Sequence, residues 1–197
     1  ILDPAAGDGA LLDALVRALP PSLRKRTQVH GYDIDRQALA LAAQRLHRDY
    51  PGLEIQLQQG DFLELVVRPS TDVGATPRFD LVIANPPYVR TQIIGASHAQ
   101  QLAREFGLSG RVDLYYPFLL GISRVLDMNG VAGVITSNRF MSTRSGQAVR
   151  RELLARFRLA RVWDMGDSKL FEAAVLPSVL LARAAVSGDH RGHDGSR

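Results

Sequence analysis

The chain reads as an α/β protein: a doubly wound, mostly parallel, seven-stranded sheet with an antiparallel edge hairpin. Three observations predict it. Short apolar runs alternate with amphipathic helical stretches along most of the chain. The early runs stop at Gly, Asp or Asn-Pro, the residues that turn a chain at a strand end. The last two runs, 159–163 and 175–184, follow each other without a helical stretch between them, so they pair as a hairpin at one edge.

The elements follow in order. Ile1-Leu2-Asp3 resembles the end of a strand already inside a fold, so the start of the domain is expected to be truncated. Residues 11–19 carry apolar residues at helical spacing and end at Pro20-Pro21. A strand over 27–32 precedes Asp33-Ile34-Asp35. From Arg36, the residues Leu39, Ala42, Ala43, Leu46 and Tyr50 make one apolar helix face, stopped by Pro51-Gly52. Glu54–Gln59 alternates as a strand with Ile55 and Leu57 on one face, closed by Gly60-Asp61-Phe62. Residues 69–77 are a polar connection. Phe79–Ala84 is a continuous apolar run, the mark of a buried parallel strand. Residues 89–111 show little periodicity and suit a lid or partner-binding loop. A helix is expected over 112–126 with Tyr116, Leu119, Leu120 and Ser123 inward. A turn follows at Asn129-Gly130, a strand at 131–136, and a helix at 142–157 anchored by Val149, Leu153 and Leu154. Pro177 interrupts the last strand locally, and Trp163 is read as a packing residue.

Composition narrows the function classes. A chain of 197 residues supports one substantial core. With 46% hydrophobic and 22% charged residues it is an ordinary globular sequence rather than a disordered one. No apolar run approaches the ~18 residues of a membrane span, so no membrane-spanning segment is expected. The absence of cysteine excludes disulfides, thiol nucleophiles and thiolate zinc sites, and the five histidines form no ligand-spaced cluster, so no metal site is expected. A net charge of +4 permits a polyanionic partner without demanding one. Residues 187–197 hold too little apolar surface to bury and read as a polar, disordered tail beyond a domain at 1–186.

The chemistry sits at Asn85-Pro86-Pro87-Tyr88, directly after the buried run. Two prolines cannot extend a sheet, so the chain turns there. This leaves an amide, a carbonyl and an aromatic ring at the carboxyl end of a strand, where open α/β sheets bind ligands. Asn85 Oδ1 and the Pro86 carbonyl can accept the two hydrogens of an exocyclic amine while Tyr88 covers the ring face. Three further strand ends carry a cofactor pattern. Gly7 and Gly9, in Asp3-Pro4-Ala5-Ala6-Gly7-Asp8-Gly9, allow a tight turn before a helix N-terminus that suits a carboxylate. Asp3 can accept from a ligand amine, Asp35 from ribose hydroxyls, and Asp61 from an adenine amine beside Phe62. Each acid also has a plain structural reading; Asp35 can cap the helix that starts at Arg36. Leu12 occupies the third glycine position of GxGxxG, which disfavours a pyrophosphate cofactor and hence a nicotinamide oxidoreductase.

Together these segments resemble the catalytic domain of the amino-group DNA methyltransferases, specifically the N6-adenine, Eco57I-like branch found in restriction–modification enzymes. The resemblance covers residues 1–185. It implies the Rossmann-like fold of S-adenosylmethionine-dependent methyltransferases, with S-adenosylmethionine held by Asp3, Ala5, Gly7, Gly9, Ile34, Asp35, Asp61, Phe62 and Asn85. It implies Asn85, Pro86 and Tyr88 as the catalytic set. Lys169-Leu170-Phe171 matches a late segment near the target base, which makes Phe171 the candidate for the base's other face. The implied substrate is an adenine flipped from double-stranded DNA. The implied partners are a fused or separate target-recognition domain, which this chain does not show, and a fused nuclease. Ala6 and Asp8 depart from the family's usual Cys and Ser, and Asp8 is expected to face outward. Arg90, Arg111 and Arg139 are candidates for phosphate contacts, Asp113 and His98 for structural rather than basic roles. The alternatives are an N4-cytosine methyltransferase, a protein glutamine methyltransferase and an inactive DNA-binding or structural module.

Overall fold

The computed structural model describes residues 1–67, 77–88, 96–108, 113–143, 146–166 and 176–185. The order is β1 (Leu2–Asp3), α1 (Ala10–Ala18), α2 (Pro21–Arg24), β2 (Gln28–Asp33), α3 (Arg36–Asp49), β3 (Glu54–Gln59), α4 (Phe62–Val67) and β4 (Phe79–Ala84). Then come α5 (Ala96–Glu105), α6 (Tyr115–Val125), β5 (Leu126–Ser137), α7 (Arg139–Ser142), α8 (Gly146–Arg156), β6 (Phe157–Asp164) and β7 (Pro177–Ala184). The strands form one seven-stranded sheet in the order β3-β2-β1-β4-β5-β7-β6. Pairing is parallel from β3 to β5, and β7 is antiparallel to both β5 and β6, so the expected edge hairpin is present.

Chain direction explains where the site lies. β1 pairs with β2 on one side and β4 on the other. The connections after β1 and β4 therefore leave in opposite senses, and their carboxyl ends frame a crevice. Leu2 and Asp3 are 0% and 1% exposed, so this two-residue strand is the buried centre of the sheet.

Two apolar clusters close the sheet. Leu12, Val16, Val29, Leu39 and Leu46 seal α1 and α3 onto one face. The larger cluster joins β4, β5 and β7 to α4, α6 and α8 on the other. The expected helix face of α3 is borne out, with Leu39, Ala42 and Leu46 buried. Gly31 sits where a Cβ would lie 2.6 Å from Leu57 Cδ2, so adjacent strands pack only because that side chain is missing. Arg124 ties three helices together: its guanidinium donates to Val66 O (3.0 Å) and Glu105 O (2.7 Å) and lies 4.3 Å over the Phe106 ring.

Several expectations are corrected. The turn at Asn129-Gly130 is absent; both residues lie within β5. Phe79 pairs with Leu126 and Leu81 with Val131, so four β5 residues are accommodated opposite one, and Gly130 folds against Leu126, where a Cβ would be 2.7 Å from Cδ1. The helix expected over 142–157 is α8, which starts later, at Gly146, and a separate short α7 precedes it. Leu154 is 66% exposed, because it follows Leu153 by 100° around α8 and leaves the Val149–Leu153 face. Trp163 is 41% exposed on edge strand β6, not packed in the core. α5 emerges within the stretch expected to be a loop. Residues 69–76 of the polar connection, 89–95 and 109–111 of that loop, and the tail 187–197 lie outside the described residues. Among the described residues no helix is long and apolar enough to cross a membrane.

Truncating Arg124 to Ala removes two charge-assisted bonds to helix carbonyls and a cation–π contact. Urea unfolding is expected to show a loss of about 2 kcal/mol.

Candidate active site

The strand ends build the site from the sheet outward. A cavity of about 320 Å³ opens at the carboxyl ends of β1, β2, β3 and β4. Each strand end contributes: Pro4 and Ala5 after β1, Asp33 and Ile34 around the end of β2, Gly60 to Phe62 after β3, and Asn85 and Pro87 after β4. Leu114 and Phe118 close it from α6. The volume is at the lower end of the ~300–1,000 Å³ range of ligand sites. A larger hollow of about 760 Å³ lies at the opposite end of the sheet, around Ile1, Lys25, Arg26 and Arg78, away from these residues.

The turn after β1 is held by hydrogen bonds rather than by side-chain bulk. Gly7 and Gly9 adopt φ of 51° and 79°, which L side chains avoid. The Gly7 N–H donates to Asp33 Oδ2 at 2.8 Å, linking the ends of β1 and β2. A Cβ on Gly9 would lie 2.9 Å from Ala42 Cβ, so the close approach at this glycine is to α3. Asp8 faces outward as expected, paired with Arg45 at 2.9 Å.

Asp3 is buried at the end of β1, directly before the Pro4 and Ala5 that line the cavity. Its Oδ1 accepts the Ala5 N–H at 3.0 Å, while its buried Oδ2 has no hydrogen-bond partner among the described residues. Burial pushes the Asp3 carboxyl up to about 7, opposed by the Ala5 N–H and reinforced by nearby Asp33. A buried carboxylate oxygen with no partner is a vacancy for a cationic donor.

At β4, Tyr88 donates its hydroxyl hydrogen to Asn85 Oδ1 at 2.9 Å. A carboxamide oxygen has two lone pairs, so Oδ1 keeps one for an amine hydrogen. The Tyr88 ring lies 6.2 Å from Tyr115 at 57°, which fixes its plane from α6. Burial raises the Tyr88 phenol to about 12, so it stays a neutral donor. Pro86 is buried and Pro87 lines the cavity. Phe62 and Phe118, their rings tilted by 30° at 5.7 Å, give the cavity an apolar wall suited to a flat ring. Asp61 Oδ1 caps α4 through the Leu63 N–H at 2.8 Å.

The structure thus brings Ala5, Ile34, Asp61, Phe62 and Asn85 to one cavity, with Asp3 behind it and Pro86 and Tyr88 beside it. Asp35 does not line it: Oδ1 caps α3 by accepting from Gln37 N (2.8 Å) and Ala38 N (3.2 Å). The acid that does line it is Asp33, which the sequence reading passed over. The signal was present, since Asp33 is the last residue of the strand and Asp35 occupies the N-cap position before a helix. Phe171, Arg90, Arg111 and Lys169 lie outside the described residues. Arg139 is exposed, and Asp113 lies at the start of α6 with its carbonyl bonded to Tyr116 N. Among the described residues no cluster of His, Asp or Glu could hold a metal.

Comparison with known proteins decides the family. Residues 27–171 match the Eco57I restriction-modification methylase family. The chain belongs to that family. The type II methyltransferase M.BanIII of Aneurinibacillus aneurinilyticus is 40% identical over 185 residues, covering 90% of this chain and 32% of that protein. A release factor glutamine methyltransferase of Agrobacterium fabrum is 29% identical over 68% of this chain and 43% of its own length. A type I restriction-modification methyltransferase subunit of Streptococcus thermophilus superposes with a TM-score of 0.72 over 94% of this chain and 40% of that one, at 19% identity, a likeness of fold. The chain spans about a third of the length of the type II methyltransferases it matches.

Membership of this methylase family supports S-adenosylmethionine as the cofactor. The residues present fit that group: an unpartnered buried carboxylate suits its ammonium, Asp33 suits its ribose, and the Phe62 slot suits its adenine.

Asp3 has a raised folded-state pKa, so its contribution is fully present below the unfolded value of 3.8 and is lost as pH rises through about 7. Asp3→Asn keeps the Ala5 acceptor and removes the charge. Its thermal stability relative to the parent is expected to improve progressively from about pH 4 to about pH 8, by on the order of 2 kcal/mol or more in the ligand-free protein. A flat difference across that range contradicts the assignment.

Proposed function

We propose that residues 1–186 form the catalytic domain of a DNA methyltransferase that transfers methyl to N6 of an adenine rotated out of duplex DNA. The observation that carries this reading is the Asn85–Tyr88 turn, with its acceptor oxygen and aromatic ring, at the mouth of the strand-end cavity. Bound S-adenosylmethionine supplies an electrophilic methyl on a sulfonium.

The chain's own residues do the rest. Asp3 holds the ammonium, and Asp33 accepts from the ribose hydroxyls because it lines the cavity, using lone pairs left over from the Gly7 and Asp35 N–H groups that its two oxygens accept. Phe62 packs on the donor adenine, and Asp61 accepts from its amine. Tyr88 stacks on the flipped target base, and Phe171 covers its other face, an assignment resting on the sequence pattern Lys169-Leu170-Phe171. Asn85 Oδ1 and the Pro86 carbonyl take the two amine hydrogens. Both acceptors favour positive charge developing on the nitrogen and aim its lone pair at the methyl. The amine loses one proton after the bond forms. No covalent intermediate with the enzyme is required, in keeping with a chain that lacks cysteine.

Reading of the DNA sequence falls to a target-recognition domain in polypeptide outside residues 1–197, since the type II relatives are about three times as long. A nuclease fused to the same polypeptide and a cytoplasmic location belong to the same proposal.

The test is nucleoside mass spectrometry of duplex DNA incubated with the natural gene product and labelled donor. N6-methyladenine is the expected product. N4-methylcytosine overturns the base assignment, and label on protein glutamine instead of DNA overturns the substrate class. Asn85→Ala is expected to slow turnover about a hundred- to a thousand-fold while S-adenosylmethionine affinity, by calorimetry, stays within about threefold.

A further inference from the structure

The turn after β1 is crowded with acids. Asp3 and Asp8 lie on either side of Pro4 to Gly7, and Asp33 and Asp35 stand at the neighbouring end of β2. S-adenosylmethionine carries a carboxylate on the same carbon as its ammonium. An ammonium held at Asp3 therefore brings that carboxylate to the turn at 5–9 and the first turn of α1.

The backbone there is partly committed. The N–H groups of Ala5, Ala6, Gly7 and Gly9 donate to Asp3 Oδ1, Tyr32 O, Asp33 Oδ2 and Ala6 O. The Ala10 N–H donates to Asp8 Oδ1 at 3.2 Å. The N–H groups of Leu11 and Leu12, in the first turn of α1, have no partner among the described residues. They are the donors a helix start offers to an anion.

Asp8 is the obstacle to using them. Its Oδ1 already takes the first amide of α1, and an ionised side chain in that place repels a second carboxylate and competes with it for the next two amides. Arg45 offsets this charge, its Nη2 donating to Asp8 Oδ2 at 2.9 Å. The pairing follows from packing. A Cβ on Gly9 would lie 2.9 Å from Ala42 Cβ, so the loop rests directly on α3, and Arg45 stands one turn beyond Ala42 on the same side of that helix. Among the described residues no other cation pairs with Asp3, Asp8, Asp33 or Asp35. The Arg45 and Asp8 side chains are 31% and 50% exposed, so the pair adds little to folding stability.

We propose that Arg45 is a positioning residue for the methyl donor and acts through Asp8. The ion pair neutralises Asp8 and holds its Oδ2 toward α3, which leaves the Leu11 and Leu12 amides to the donor carboxylate. The inference rests on the reading of the strand-end crevice as the donor site, and it adds a residue that touches no donor atom.

Calorimetric titration of the natural gene product at low ionic strength tests it with two ligands. One is S-adenosylmethionine; the other is its decarboxylated analogue, which keeps the ammonium and the sulfonium and lacks the carboxylate. Arg45→Ala is expected to weaken S-adenosylmethionine at least about fivefold and not to weaken the analogue. Asp8→Ser removes the charge and keeps a hydroxyl acceptor for the Ala10 N–H. Added to Arg45→Ala, it is expected to restore S-adenosylmethionine affinity to within about twofold of the parent. Unchanged S-adenosylmethionine affinity in Arg45→Ala overturns the inference. An equal loss for both ligands makes Arg45 a structural residue only, and a loss that Asp8→Ser does not restore shows that Arg45 acts without Asp8; either result overturns it too. A parent protein that binds neither ligand contradicts the donor-site reading itself, and the inference falls with it.

Discussion

Everything at the site depends on the double pairing of β1. Leu2 and Asp3 pair with β2 on one side, and Leu2 pairs with β4 on the other. Parallel strands need crossover connections, so the chain leaves β1 toward one edge for β2 and β3 and toward the other for β4 and β5. The divergence opens the crevice and sets the first four strand ends around it. It also explains the burial of Asp3: the residue is a sheet-centre strand position first and a ligand group second. Few devices could leave a carboxylate oxygen without a partner in so dry a place, and the protein carries the cost in its ligand-free state.

The site divides its labour by polarity. Toward β1 and β2 it is acidic, with Asp3 accepting the Ala5 N–H and Asp33 the Gly7 N–H of the same turn. Toward β3 and α6 it is apolar and flat, with Phe62 on Phe118. At β4 it offers an acceptor and a ring fixed against Tyr115. A cationic amino acid, a ribose and an adenine match the first two regions, and an amine-bearing base matches the third. The alignment of one chemical character with each strand end makes the arrangement a site rather than a collection of corners.

Much of this was legible in the sequence, for identifiable reasons. Asn85-Pro86-Pro87-Tyr88 announces itself because two prolines forbid a strand from continuing, and alternating apolar runs fix the parallel topology. The sequence reading chose Asp35 where the structure sets Asp33 at the cavity, and the reason is local. Asp33 and Asp35 flank one residue, and only the cap geometry at Gln37 and Ala38 tells which carboxylate turns to the helix. Asn129-Gly130 has the composition of a turn, yet the pairs on either side of it, Leu126 with Phe79 and Val131 with Leu81, keep it within β5 as an unpaired irregularity. Leu154 and Trp163 carry apolar side chains on faces that the described residues do not cover, and no one-residue property distinguishes them from core residues.

The central claim is that the crevice made by the β1–β4 divergence is the donor site, with Asp33 as its second-strand acid. Calorimetric titration of S-adenosylmethionine into the parent chain, Asp33→Ala and Asp35→Ala tests it most directly, with circular dichroism confirming that each variant is folded. The account predicts at least about a tenfold loss of affinity for Asp33→Ala, the loss of roughly 1.4 kcal/mol or more of binding, and an affinity within about twofold of the parent for Asp35→Ala. Unchanged binding by a folded Asp33→Ala, with the loss appearing in Asp35→Ala instead, contradicts it.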